Sequence, residues 1–199
     1  MSAQLLFAFI VFSFSISIAP GAGNIALLSL SSRYGFVAVL PFIAGSALGV
    51  SMILVGSSLG LTNLLNSEPM LYTALKVLGT CYLLYLAWSI STLKLSDSET
   101  DKQTGFFSGT LVQILNPKAW VASLTLLTQF LPGQNRVLSD DALIMAIFIA
   151  IGVSSMCIWA YCGSALNKLL TSPKYFLWVN RCLGASLGIV AIVMAGQSI

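Results

Sequence analysis

Histidine is absent from this 199-residue chain, and acidic residues number only six. Without histidine the commonest metal ligand and general base is missing. Cys81, Cys157, Cys162 and Cys182 form no C-x-x-C pair that would suggest a metal site or a redox motif. Each stands in an apolar stretch, where cysteine behaves as a small hydrophobe, so neither a metal nor another cofactor is expected. Charge of both signs is scarce: nine Lys/Arg and six Asp/Glu amount to 8% of the residues, against about 25% in an ordinary soluble domain. That is too little charge to keep a globule of this size in water. The basic residues are scattered rather than clustered, which excludes nucleic acid as the expected partner. No Asp or Glu falls inside an apolar run, so a buried carboxylate pair for acid–base chemistry is missing, as is a nucleophile beside an obvious base.

What is abundant is apolar: 57% of residues are hydrophobic and the mean hydropathy is +0.94. Lipid is then the expected solvent and a direct partner of the surface. A helix needs about 20 apolar residues to cross the hydrocarbon. Six such runs fall near 4–29, 36–61, 70–92, 106–131, 142–166 and 177–197. The N-terminal run lacks a positively charged leader and is read as a retained span. Short polar connections separate the runs, Ser31 to Gly35 being the first. The longest, Lys94 to Lys102, falls near the midpoint. The expectation is one transmembrane domain over 1–199, with a first repeat over about 1–93, a loop over about 94–105 and a second repeat over about 106–199.

The halves resemble each other. Lys76-Val77-Leu78-Gly79 parallels Arg181-Cys182-Leu183-Gly184, and Gly45 and Gly56-Ser57-Ser58-Leu59 parallel Gly152 and Gly163-Ser164-Ala165-Leu166. Pro20-Gly21 has a counterpart in Asn116-Pro117. An odd number of spans per half would set the repeats in opposite orientations, as in many secondary transporters. Arg33, Lys94, Lys102, Lys168, Lys174 and Arg181 fall on one side, and only Lys76 and Arg136 on the other. The positive-inside rule therefore expects loops one, three and five in the cytoplasm and both termini outside.

Two segments conflict with plain spanning helices. In Ile18-Ala19-Pro20-Gly21-Ala22-Gly23-Asn24 the proline removes a backbone donor and two glycines loosen the chain. Such a segment is either a tolerated kink or a discontinuous helix whose freed backbone groups line a polar cavity. In Gln113-Ile114-Leu115-Asn116-Pro117-Lys118, the lysine lies roughly 20 Å beyond Gly105 at 1.5 Å per residue. That is too deep for easy snorkelling, and intramembrane charges usually face a cavity or a partner. A helix starting later would instead leave Lys118 at the interface. Gly45-x-x-x-Gly49 and Gly184-x-x-x-Gly188 fit close helix packing. Glu68, Asp140 and Asp141 read as solvated loop charges.

These residues resemble the LysE/RhtB-type amino-acid exporters, a family of about 200-residue, six-span proteins. Its Pro-Gly-Pro-Asn/Asp motif appears here as Pro20-Gly21-Ala22-Gly23-Asn24, with Ala-Gly in place of one proline. Its Asn-Pro-Lys motif is intact at Asn116-Pro117-Lys118, after Gly105-Phe106-Phe107-x-Gly109. Leu78-Gly79-x-x-Tyr82-Leu83-x-Tyr85-Leu86-Ala87-Trp88 is similar to the third span of the family, and Leu126 to Pro132 to its cysteine and O-acetylserine exporter branch. The resemblance covers essentially the whole chain. It implies an all-α integral membrane protein, six transmembrane helices forming two inverted three-helix repeats, with helices one and four interrupted. It also implies ion-driven export, with protons as the coupling ion, of small zwitterionic amino acids or derivatives across the bacterial inner membrane. The expected substrate-binding residues are Pro20, Gly21, Gly23, Asn24, Asn116, Pro117 and Lys118. Lys118, the one deeply placed titratable group, is the expected coupling residue. A membrane-embedded enzyme and a non-transporting assembly subunit are the rival readings; the oligomeric state stays open.

Overall fold

Proline and glycine punctuate the chain where the apolar pattern alone would run on. The computed structural model describes residues 2–60, 67–92, 105–131, 138–169 and 173–196. Within them α1 (Ala3–Ile18) begins at Ser2, whose hydroxyl accepts from Leu5 N, and stops before Pro20. Gly21, extended at φ −165° and ψ 174°, leads into α2 (Ala22–Tyr34). The two helices meet at 54°. A short 3-10 turn, Val37–Val39, leads into α3 (Leu40–Ser58), which carries Pro41 in its first turn, where a missing N–H costs nothing. Then come α4 (Pro69–Thr92), α5 (Phe106–Ile114) and α6 (Pro117–Thr125), the last running into a π-helical turn at Leu126–Phe130. The long helices α7 (Leu138–Leu169) and α8 (Pro173–Gly196) complete the described chain. No strand occurs among the described residues.

The first apolar segment ends later than its composition suggests. Ser31 and Ser32 continue α2 instead of forming a loop, because their hydroxyls donate to the carbonyls of Leu27 (2.5 Å) and Ser29 (2.7 Å). Both side chains are buried. Gly35, at φ 84°, ends the helix, a conformation that glycine adopts without strain. The hydrophilic loop 94–102, Arg136 and the C-terminal Ile199 lie outside the described residues.

By length and composition Val37–Ser58, Asp141–Leu166 and Lys174–Val193 each suffice to cross a bilayer, and the bent pair α1–α2 passes the same test only when its two helices are taken together, as a broken span or a re-entrant loop. Val77–Thr92 is a shorter apolar helix. α5 and α6 hold nine residues each, about 14 Å apiece, so neither crosses alone. Large apolar side chains such as Phe7, Phe14, Val55, Leu78, Phe107 and Ile189 are exposed, as an all-helical integral membrane protein requires where its surface meets lipid.

Glycine sets the closest helix crossings. A Cβ on Gly45 of α3 would fall on the Phe106 carbonyl, and one on Gly109 of α5 on the Phe42 carbonyl. Thr110 Oγ1 donates to Gly45 O at 3.0 Å across the same contact. Gly163 of α7 likewise abuts Leu28 and Ser31 of α2, and Gly184 of α8 abuts Ala87 and Ser91 of α4. Small residues permit this approach in lipid, where van der Waals contact drives association. The apolar interior forms two main clusters. The larger joins α2, the start of α3, the later parts of α4, α7 and α8, and Val112 of α5. The second gathers Phe9, Leu54, Ala122, Leu126 and Phe148 from α1, the end of α3, α6 with its π turn, and the start of α7.

Candidate functional site

Breaking a helix inside an apolar medium leaves carbonyls that must find donors. At the α1–α2 break the donors come from three places. Asn24, on the first turn of α2, donates Nδ2 to Ser17 O (2.8 Å) and Ala19 O (3.0 Å). Trp159 of α7 donates its indole N–H to Ile18 O at 3.0 Å. Lys118, from the other broken segment, donates Nζ to Ala19 O at 2.7 Å. The α5–α6 break is closed from within. Asn116 caps α6 by accepting from Lys118 N at 3.1 Å, and Trp120 of the same helix donates to Ile114 O at 2.8 Å.

The lysine thus runs from the start of α6 into the gap left by Pro20. Gly21 makes room for it: a Cβ there would stand 3.2 Å from Lys118 Cδ and 3.3 Å from Nζ. At the centre of a bilayer an ammonium costs roughly 2.5–3.5 kcal/mol. One hydrogen bond to a charged group returns about 1.5–3 kcal/mol, so Ala19 O alone roughly offsets the placement. A lysine has three donors, and among the described residues only Ala19 O takes one.

Beside this junction lies a cavity of about 70 Å³. A water needs on the order of 10–15 Å³, so the space suits a few waters or one small solute. Gly21, Gly23, Asn24, Gln113, Asn116 and Lys118 form its polar wall, with Ser17 at the end of α1. Phe148, Ile149, Val153 and Met156 of α7, with Ile16 and Val50, form the apolar wall. No acidic residue lines it. Among the described residues there is no cluster of His, Cys, Asp and Glu able to hold a metal.

Five of the seven residues expected from sequence border this space: Gly21, Gly23, Asn24, Asn116 and Lys118. Pro20 and Pro117 do not. Pro20 is exposed and Pro117 half-buried; their part is to make the breaks. The structure therefore brings the two interrupted segments together at one place, with the lysine bridging them. A family model for the LysE type translocator matches residues 14–198. The chain belongs to the LysE family.

Relatives of this LysE-type translocator include the cysteine/O-acetylserine efflux protein of Salmonella typhimurium (strain LT2). It is 27% identical over 169 residues, 84% of this chain and 87% of the relative. The protein of the same description from Escherichia coli O6:H1 is 28% identical over 173 residues, covering 85% of this chain and 87% of the relative. No solved structure matches the chain.

Two residues of the site escape the sequence motifs. Gln113 is 6% exposed and borders the cavity. It stands next to the Asn-Pro-Lys segment, and an amide in an apolar helix is the signal that could have flagged it. Trp159 gives no such signal. Nothing in the sequence around it points to a carbonyl 141 positions away.

Proposed function

We propose that this LysE-type translocator is a secondary exporter of small zwitterionic amino acids or their derivatives, residing in the bacterial inner membrane with both termini outside. The observation carrying this reading is the Lys118 ammonium, set in a break between helices and bordering a cavity without carboxylates. A ligand carboxylate would take the donors of Lys118 that Ala19 leaves unused. The first-turn amides of α2 favour the same anion, since the first N–H groups of a helix lack intrahelical acceptors and carry the positive end of its dipole. Asn24 and Asn116 hold the broken backbone open around the ligand. With no carboxylate on the wall, a cationic side chain finds no counter-charge, which favours neutral substrates. The efflux proteins related to this chain are described for cysteine and O-acetylserine, and small neutral amino acids of that kind are the substrates proposed here.

Two inverted three-helix repeats, split by the loop near 94–105, give the rocking units of alternating access. Each carries one of the two breaks, so a tilt of one repeat against the other would pull Lys118 off Ala19 O. Lys118 is also the residue through which we couple transport to protons, because the cavity holds no other amine or carboxylate.

Counterflow in proteoliposomes with labelled cysteine, serine, O-acetylserine and alanine tests the reading. Exchange should appear with the native protein and fall about 100-fold in Lys118→Ala, the scale of a lost buried charge contact. Exchange undiminished by that substitution would remove the lysine from the mechanism. An imposed pH gradient should accelerate accumulation, and indifference to it would remove the proton.

A further inference from the structure

The amide of Gln113 is the polar group of the cavity whose position the backbone breaks do not explain. Asn24 spends its Nδ2 on Ser17 O and Ala19 O, and Asn116 spends its Oδ1 on Lys118 N. Gln113 spends nothing: among the described residues no group donates to its carboxamide or accepts from it. Yet its side chain is 94% removed from solvent contact, being 6% exposed, and it borders the cavity. Buried amides are almost always hydrogen-bonded, so an unpartnered one facing a cavity is placed for a ligand.

Its seat is unusual as well. A Cβ on Gly23 would come within 2.8 Å of Gln113 Nε2 and 3.6 Å of Val112 Cγ1. The carboxamide therefore rests on the bare Cα of residue 23, in the first turn of α2, and any larger residue there would push it aside. Position 23 belongs to the Pro20–Asn24 break, so the amide of one interrupted segment rests on a glycine of the other. A carboxamide offers two donors and an acceptor, while the facing wall of Phe148, Val153 and Met156 offers none.

We propose that Gln113, seated on Gly23, is the specificity-determining residue of the cavity and hydrogen-bonds a short, uncharged, polar side chain of the substrate. This rests on the exporter reading above and adds to it the group that tells such side chains from aliphatic ones. The physical basis is asymmetric. A site built to hydrogen-bond a substrate group is left with an unpaired buried amide when that group is missing. An apolar wall, by contrast, discriminates poorly between side chains differing by one methylene.

Counterflow in proteoliposomes with the full-length protein tests this, comparing serine, cysteine and O-acetylserine with alanine and 2-aminobutyrate. The quantity read is the ratio of polar to aliphatic rates. In Gln113→Met, which keeps length and fill but loses the amide, the ratio should fall about tenfold. Gly23→Ala should lower the ratio in the same direction, since the atom displaced is the far end of a flexible side chain. The double variant should be no worse than Gln113→Met alone, because the two changes remove one interaction. In Gln113→Glu, uptake of 2,4-diaminobutyrate should appear. A ratio unchanged in Gln113→Met, or polar and aliphatic rates falling together, would overturn the proposal and leave Gln113 a packing residue. A native protein that exchanges none of these amino acids would defeat the exporter reading first, and this inference with it.

Discussion

The two ends of the helix bundle are held by different means. At the end carrying Tyr34, Phe106 and Thr92, helices cross with backbone against backbone: Gly45 on Phe106, Gly109 on Phe42, Gly163 on Leu28 and Gly184 on Ala87. Toward the end carrying the start of α1, Gly79 on the Leu115 carbonyl is the last such approach among the described residues. Cohesion there comes from side chains: Phe9, Leu54, Ala122, Leu126 and Phe148, with the rings of Phe9 and Phe12 lying 5.5 Å and 5.4 Å from that of Phe130. The cavity lies between, sharing Ala122 and Phe148 with the second cluster and Met156 with the first. Backbone contacts have no rotamers to adjust, whereas aromatic and aliphatic side chains repack at modest cost. Each of these glycine contacts joins a helix of one repeat to a helix of the other, so rocking of the repeats should hinge at them, and sliding should concentrate around Phe9 and Phe130.

The largest expected effect follows from this contrast. Gly45→Val and Gly109→Val each force a side chain onto a carbonyl and should cost upward of about 3 kcal/mol. The check is loss of a monodisperse peak when the detergent-solubilised protein is analysed by size exclusion. A stable, monodisperse Gly45→Val protein would show that the crossing at this end is as pliable as the other. Next comes Phe9→Leu. Phe9 is fully buried in a cluster of apolar side chains, so the cost should stay near 1 kcal/mol, as for shape changes that can repack. A thermal shift of a few degrees with folding preserved would agree; loss of the fold would erase the difference between the ends.

A sharper version reads motion directly. With the four native cysteines replaced, Ser13→Cys in the Phe9 cluster region should become reactive to a water-soluble thiol reagent during turnover. Ser46→Cys, beside the Gly109 carbonyl, should stay protected. Equal labelling at both positions would refute sliding confined to one end. The smallest effect is expected from the indole hydrogen bonds at the breaks. Trp159→Phe and Trp120→Phe each remove one indole-to-carbonyl hydrogen bond, worth about 1 kcal/mol. Of the two, Trp159→Phe should disturb counterflow more, because its acceptor lies beside the carbonyl that holds Lys118.

Much of the site is written locally. Pro20 with its glycines and Asn116-Pro117 announce the breaks, and the depth of Lys118 announces a partner, because proline chemistry and the cost of a buried charge act within a few residues. The identity of that partner is not local. Ala19 O lies 99 positions from Lys118, and only the packed bundle brings them together. Trp159 is illegible for the same reason, and the Gln113 amide, though visible in an apolar helix, has a role that depends on which helix faces it. The end of α2 misleads in the opposite sense. Ser31, Ser32 and Arg33 look like a loop by polarity, but hydroxyls that bond back to the helix and the close approach of Gly163 keep them helical. The paired glycines suggested equivalent halves, yet Gly45 packs against a backbone carbonyl while its counterpart Gly152 borders the cavity. A repeat in sequence does not make its members do the same job.

The four tryptophans divide in a way that an optical experiment can use. Trp88 and Trp178 are 71% and 66% exposed on the outer surface of the bundle, whereas Trp120 and Trp159 are each tied to a carbonyl at one of the interruptions. Brominated lipid should therefore quench the first two far more than the second. The light that survives comes from the interruptions, so the native protein already carries its own reporters of what happens there.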